Sequence, residues 1–157
     1  MSNIRNNVLE FHKAMQVPVL NFPQVPPEKR VRLRLRLIAE EFVELLEASF
    51  NSPILIGSVK GILNFIVDLA PIEINMEKFV DSLGDIDYVN EGARLEFGVN
   101  GEGIAAEIQA ANMRKVGGPI RPEDGKRLKP PGWQGPDIIG ELKKQGWVAN
   151  DTKSEAC

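Results

Sequence analysis

Glu41 and Glu44 lie three residues apart, and Asp81 and Asp85 four apart, each in a stretch with helical character. At about 100° per residue, each pair falls on one face of its helix. If the two helices pack antiparallel, four carboxylates converge on one point. Uncompensated, such like charges raise one another's pKa and destabilise the fold. A divalent cation removes the conflict, and helix bundles build metal sites from facing acids in this way. The donors are all oxygen, with one distant histidine (His12) and one cysteine (Cys157), which suits Mg²⁺ or Mn²⁺ rather than zinc. Tyr88 and Gly92 share the face of Asp81 and Asp85; Gly84 and Gly92 leave room for a helix or a ligand to approach.

The charges around these acids are segregated. Lys29, Arg30, Arg32, Arg34 and Arg36 stand against Glu28, and the segment Glu40–Glu47 then holds only acids. Glu73–Glu107 is strongly acidic, and Met113–Pro130 reverses to basic through Arg114, Lys115, Arg121, Lys126, Arg127 and Lys129. Acidic helices followed by a basic, Gly/Pro-rich loop suit a metal–phosphate ligand: carboxylates take the hard cation and Lys or Arg the phosphate oxygens. The plainer reading is solvated helix faces and a flexible tail.

The chain has 157 residues, 43% of them hydrophobic and 26% charged, enough for one domain with a buried core. Lys and Arg number 19 against 22 Asp and Glu, a net charge of −3, and aromatics are 6%, which argues against general nucleic-acid or anionic-membrane binding. One cysteine excludes an internal disulfide framework. The opening MSNIRNNVLEF has no apolar signal core, and Leu55–Leu69 is interrupted by Lys60, Asn64 and Asp68 and is too short for a bilayer span. The expectation is a cytoplasmic protein with no membrane and no nucleic-acid partner.

The elements that must position the acids read as helices. Ser2–Gln16 carries Val8, Phe11 and Met15 at helical spacing, with Ser2 as cap. Four prolines fill Pro18–Pro27, and Pro26-Pro27-Glu28 opens a long helix. Its start, RVRLRLRL, alternates like a strand but runs without a turn into LIAEEFVELLEA. As a helix it gathers Val31, Leu35, Ile38, Phe42, Leu45 and Leu46 on one apolar arc and lets Arg36 pair with Glu40. Ile54–Leu69 is apolar nearly all round and reads as a buried or interface helix, with a pair of buried strands as the alternative. Asn75 caps a helix from Met76 to Phe97, closed by Gly98; Glu102–Lys115 and a short Asp137–Gln145 helix follow. The class is all-α, a bundle of four to five helices completed by homo-oligomerisation. It forms a single domain over 1–157, with a polar tail from 148.

EEFVE, then DSLGDIDYV, then NMRKVGG…DGKRLKPPGW…PDI resembles, in that order, the MazG-like all-α nucleoside triphosphate pyrophosphohydrolases. The resemblance runs from EFH in the first helix to GPDI in the last, and the late run is similar to phage and bacterial dUTP-hydrolysing members. Glu41 and Glu44 match the family's Glu-x-x-Glu, Asp85 the closing aspartate of its Glu-x-x-Asp, and Glu40 a further glutamate. Ser82 stands where that second motif has Glu, with Asp81 the nearest acid, and 36 residues separate Glu44 from Asp81, a long spacing assigned to an excess over Asn51–Glu73. The resemblance implies Asn112 and Lys115 as sugar or phosphate contacts and Lys126 and Lys129 as basic loop residues. It further implies Mg²⁺-assisted hydrolysis of a (d)NTP to (d)NMP and pyrophosphate, in nucleotide house-cleaning, with Glu40 or Glu41 as the base that deprotonates water.

Other residues keep two readings at this point. Tyr88 is either core or a substrate contact through its hydroxyl, and Trp133 is either a loop anchor or a base-stacking surface. His12 is a helix-surface residue or a contact from a neighbouring subunit. Arg34, on the acid side, is the arginine best placed for phosphate. Ile54–Leu69 reads as the interface of a homodimer or homotetramer. The rival functions are a catalytically inactive oligomerisation or partner-binding bundle, which the Ser82 departure keeps open, and a phosphoribosyl-ATP pyrophosphohydrolase.

Overall fold

Local capping and breaking residues set the helix ends. A computed structural model describes residues 4–148 as α1 (Ile4–Ala14), α2 (Glu28–Ser49), α3 (Pro53–Leu69), α4 (Met76–Glu96), α5 (Gly101–Met113) and α6 (Ile138–Lys144). Pro27 is extended and halts the chain before α2, and Pro53 occupies the first turn of α3, where its missing N–H costs nothing. Side-chain caps start three helices: Asn75 Oδ1 accepts from Lys78 N at 3.1 Å, Asn100 Oδ1 from Glu102 N at 2.9 Å and Asp137 Oδ1 from Gly140 N at 2.9 Å. Gly98, with φ +66°, follows α4 in a conformation that glycine adopts without a Cβ penalty.

The described residues are thus all-helical, six helices with no strand. RVRLRLRL is the first part of α2, and Ile54–Leu69 is one helix rather than two strands. The six include the apolar stretch and the short segment after Asp137, both read as helices in the sequence. None of the helices is long and apolar enough to cross a membrane. The expected Ser2 cap, Cys157 and the tail beyond Val148 lie outside the described residues.

The chain divides into two compact units. One comprises the segments up to Val19, Ser82–Pro119 and from Arg127 onward; the other comprises Leu20–Asp81 and Ile120–Lys126. In the first, α1 and α6 both pack on α5, with Ala111 buried and Glu10 accepting from Gln109 Nε2 at 3.0 Å. Trp133 reaches back to α5, its Nε1 donating to the Ala111 carbonyl at 2.8 Å.

In the second unit, α2 and α3 form an antiparallel hairpin across a three-residue connection, burying Val31, Leu33, Val43 and Ile56. The arc expected to be buried is only partly so. Leu35 and Leu46 are half-buried, whereas Ile38, Phe42 and Leu45 are exposed. The reason is geometric. Helix α3 lies against the other side of α2, where Arg32, Arg36, Glu40 and Glu44 run at four-residue intervals. Arg32 donates from Nη1 to the Val67 carbonyl at 2.6 Å and from Nη2 to the Ala70 carbonyl at 3.1 Å, covering carbonyls at the end of α3.

Asp124 ties the 120–126 segment to this hairpin. Its side chain is 5% exposed and accepts from Arg121 Nε at 2.9 Å, from Arg36 Nη1 at 3.3 Å and from the Lys126 backbone N–H at 3.0 Å. Arg36 also pairs with Asp68 on α3, so it takes these two partners and not the Glu40 anticipated from i, i+4 spacing. Gly125 supplies the turn with φ +79°. The Arg121 guanidinium holds the Asp124 carboxyl well below the usual carboxylate range, opposed by burial and assisted by the Lys126 N–H and Arg36. In return, Asp124 raises Arg121, and Asp68 followed by Asp124 raises Arg36.

A carboxyl depressed on folding adds stability that is fully present above its unfolded pKa of about 3.9 and is lost as pH falls through its folded value. Asp124→Asn therefore lowers unfolding free energy by roughly 1–3 kcal/mol at pH 7. In urea titrations between pH 7 and pH 2, that deficit against the unaltered chain shrinks only below about pH 4. A deficit independent of pH would contradict the assignment.

Candidate functional site

Once α2 and α3 pack in this register, the acids of α2 divide between two faces. Arg36 opposes Asp68, so one turn further along each antiparallel helix Glu40 comes opposite Asn64, and another turn on Glu44 comes opposite Lys60. These side chains line a cavity of about 300 Å³ together with Glu47, Lys126 and the apolar Ala39, Val43 and Leu63. Lys126, aimed here by its backbone bond to Asp124, donates its ammonium to Glu40 Oε2. The cavity therefore combines three carboxylates, two ammonium groups and one amide.

Of the sequence candidates, Glu40, Glu44 and Lys126 meet at this cavity. Glu41, about 100° round the helix from Glu40, is exposed and does not line it. Asp81 and Asp85 are exposed on α4, and Tyr88, also on α4, is 81% exposed and thus not core within this chain. Arg34 is half-buried in α2, its guanidinium pushed down by that burial and then by Arg30.

The remaining candidates form a second group, in the other unit. Asn112 Oδ1 accepts from Lys115 Nζ at 2.7 Å. The ammonium groups of Lys115 and Lys129 stand 5.6 and 4.4 Å from the Trp133 ring centroid, within cation–π range. With its N–H on Ala111 and two lysines at its ring, Trp133 anchors the loop. Asn112 also lines a 710 Å³ cleft bounded by α1, α4 and α5, where Ile4, Val8, Ile104 and Ile108 form an apolar wall and Glu91 and Arg94 add charge. His12 sits on α1 beside Phe11, the ring centroids 6.4 Å apart.

Glu47, Lys60, Asn64 and Asp124 were not singled out in the sequence as site residues. Glu40, Glu44 and Glu47 do recur at helical spacing, a signal of one shared face. Lys60 and Asn64 looked like interruptions of an apolar helix, and only packing shows which way they face. Among the described residues, no three His, Cys, Asp or Glu side chains gather closely enough to hold a metal by themselves. The donor chemistry still fits Mg²⁺, which keeps several waters and is usually held by one or two carboxylates together with substrate phosphates.

Comparison with known proteins gives this arrangement a family. The family model of phosphoribosyl-ATP pyrophosphohydrolase matches residues 8–112, a span that includes α2, α3, α4 and both acid pairs. No curated protein matches in sequence. The solved structure of a candidate NTP pyrophosphohydrolase from Exiguobacterium sp. 255-15 is similar, with a TM-score of 0.68 and 25% identity, covering 92% of this chain and 96% of that one. The chain belongs to the phosphoribosyl-ATP pyrophosphohydrolase family, within the MazG-like all-α NTP pyrophosphohydrolases, and is a hydrolase acting on phosphoanhydride bonds.

Proposed function

We propose that this chain is a divalent-metal-dependent nucleoside triphosphate pyrophosphohydrolase, converting a (d)NTP and water to a (d)NMP and pyrophosphate. The observation that carries the reading is the α2–α3 cavity, where Glu40, Glu44 and Glu47 face Lys60 and Lys126. Carboxylates beside ammonium groups are the pairing that a cation–phosphate ligand needs. Glu44, joined by Glu41 and the α4 acids Asp81 and Asp85, would hold Mg²⁺, which when bound supplies neutralisation of phosphate charge.

The chain's own groups do the rest. Lys126 is bonded to Glu40 and is within reach of the same cavity. An incoming phosphate competes for that ammonium and frees the Glu40 carboxylate. Glu40 then accepts a proton as water adds to phosphorus, the α–β anhydride bond breaks and pyrophosphate departs. Asn112 and Lys115, already bonded to each other, are the proposed sugar or phosphate contacts, with Lys129, Tyr88 and Arg34 as further substrate contacts. The family's name favours phosphoribosyl-ATP as a second substrate class, in which the same bond is cleaved.

A homo-oligomer is part of this reading. Phe42 and Leu45 on α2, Leu55, Ile62 and Phe65 on α3, and Val89 on α4 are all exposed, more apolar surface than a lone chain ordinarily leaves in water. Sedimentation should return a dimer or tetramer, and Phe65→Asp should reduce its mass without loss of helical circular dichroism; a monomeric unaltered chain would contradict this.

The activity is tested by incubating the purified chain with each (d)NTP, dUTP included, and with phosphoribosyl-ATP, in Mg²⁺, while assaying pyrophosphate. At least one substrate is expected to release it, and chelation of Mg²⁺ to stop the release. Glu40→Gln should lower kcat by about 10²–10⁴-fold. Folded protein that releases pyrophosphate from none of these substrates would overturn the proposal.

A further inference from the structure

Helix α3 carries three polar residues along one edge of its α2-facing side. Ile56, Val59, Leu63 and Val67 are its least exposed apolar residues, and Lys60, Asn64 and Asp68, all exposed, succeed one another at four-residue intervals along the edge beside α2. Asp68 has an evident partner in Arg36. Lys60 and Asn64 open on the cavity with Glu40, Glu44 and Glu47, and among the described residues Lys60 makes no ion pair. A lysine costs little on the outer face, where its ammonium stays in water. Lys60 keeps this exposure at the rim of the cavity, opposite the glutamates, where one ligand can engage both signs of charge.

We infer that Lys60 is a phosphate-binding residue, contributed by α3 to the α2 site, with Asn64 beside it as an amide donor. The ligand class is a pyrophosphate or triphosphate group carrying a divalent cation. Lys60 and Lys126 approach the cavity from α3 and from the 120–126 segment, so a chain of phosphates can lie between two ammonium groups while the glutamates remain with the cation. The inference rests on the phosphate chemistry proposed above for the same cavity, and adds a residue that the acid motifs do not contain.

The test is a calorimetric titration of inorganic pyrophosphate, at fixed Mg²⁺, into the full chain and its Lys60→Ala and Lys60→Arg variants. Thermal melting and pyrophosphate release from the (d)NTP panel are measured on the same samples. Removing one charge-assisted contact should weaken pyrophosphate binding about 10–100-fold in Lys60→Ala. Lys60→Arg should retain most of the affinity, and the melting temperature should stay unchanged. Equal affinity in Lys60→Ala, absence of pyrophosphate binding by the unaltered chain, or a lowered melting temperature with affinity intact would each overturn the inference. If the unaltered chain binds pyrophosphate through Lys60 but turns over no substrate, the hydrolase reading fails and the binding residue stands. If it turns over substrate and Lys60→Ala binds and reacts equally well, the inference alone fails.

Discussion

Two antiparallel helices pressed together through a line of charges must neutralise those charges or separate. That constraint governs the α2–α3 hairpin, where Arg32, Arg36, Glu40 and Glu44 run along the α3 side of α2. Arg32 is satisfied by carbonyls at the end of α3, Arg36 by Asp68 and Asp124, and Glu40 by Lys126. Val43 and Ile56 are buried in the same hairpin. Such ion pairs are not a large source of stability, because desolvation offsets most of the Coulombic gain. Their effect is register, since sliding the helices one turn in one direction would set Arg36 opposite Asn64, and in the other would set Asp68 opposite Glu40.

The same register builds the cavity. Ion pairs close the open end of the hairpin, and toward the connection Glu44, Glu47 and Lys60 line the cavity. Asp124 extends this order to the 120–126 segment, since its carboxylate holds both Arg121 and the Lys126 backbone and so aims the Lys126 ammonium at Glu40. A structural ion-pair network and a candidate binding site are therefore consecutive turns of one helix pair.

Helix class and most helix ends were legible in the sequence because they rest on local chemistry. Asn75, Asn100 and Asp137 cap, Pro27 and Pro53 stop or start, and Gly98 follows a C-terminus. The acid motif and the basic loop were legible for the same reason, being runs of one charge. What the sequence concealed was choice of face. An apolar arc on α2 reads as buried, yet Phe42 and Leu45 are exposed and α3 covers the charged side, so periodicity located two faces without ranking them. Likewise Lys60 and Asn64 read as blemishes in an apolar run, because a side chain's direction across a hairpin depends on register, which no local pattern encodes. Asp124 escapes a local reading, because its partner Arg36 lies 88 residues away in sequence.

On the function proposed above, the α2 glutamates at the α3 interface would form a cation site completed by phosphate. Binding of Mn²⁺, followed by loss of its free electron paramagnetic resonance signal, probes this without requiring turnover. The unaltered chain should take up Mn²⁺ more tightly when inorganic pyrophosphate is present, and Glu44→Ala should lose that gain. Equal Mn²⁺ uptake by the two proteins, with and without pyrophosphate, would contradict the account.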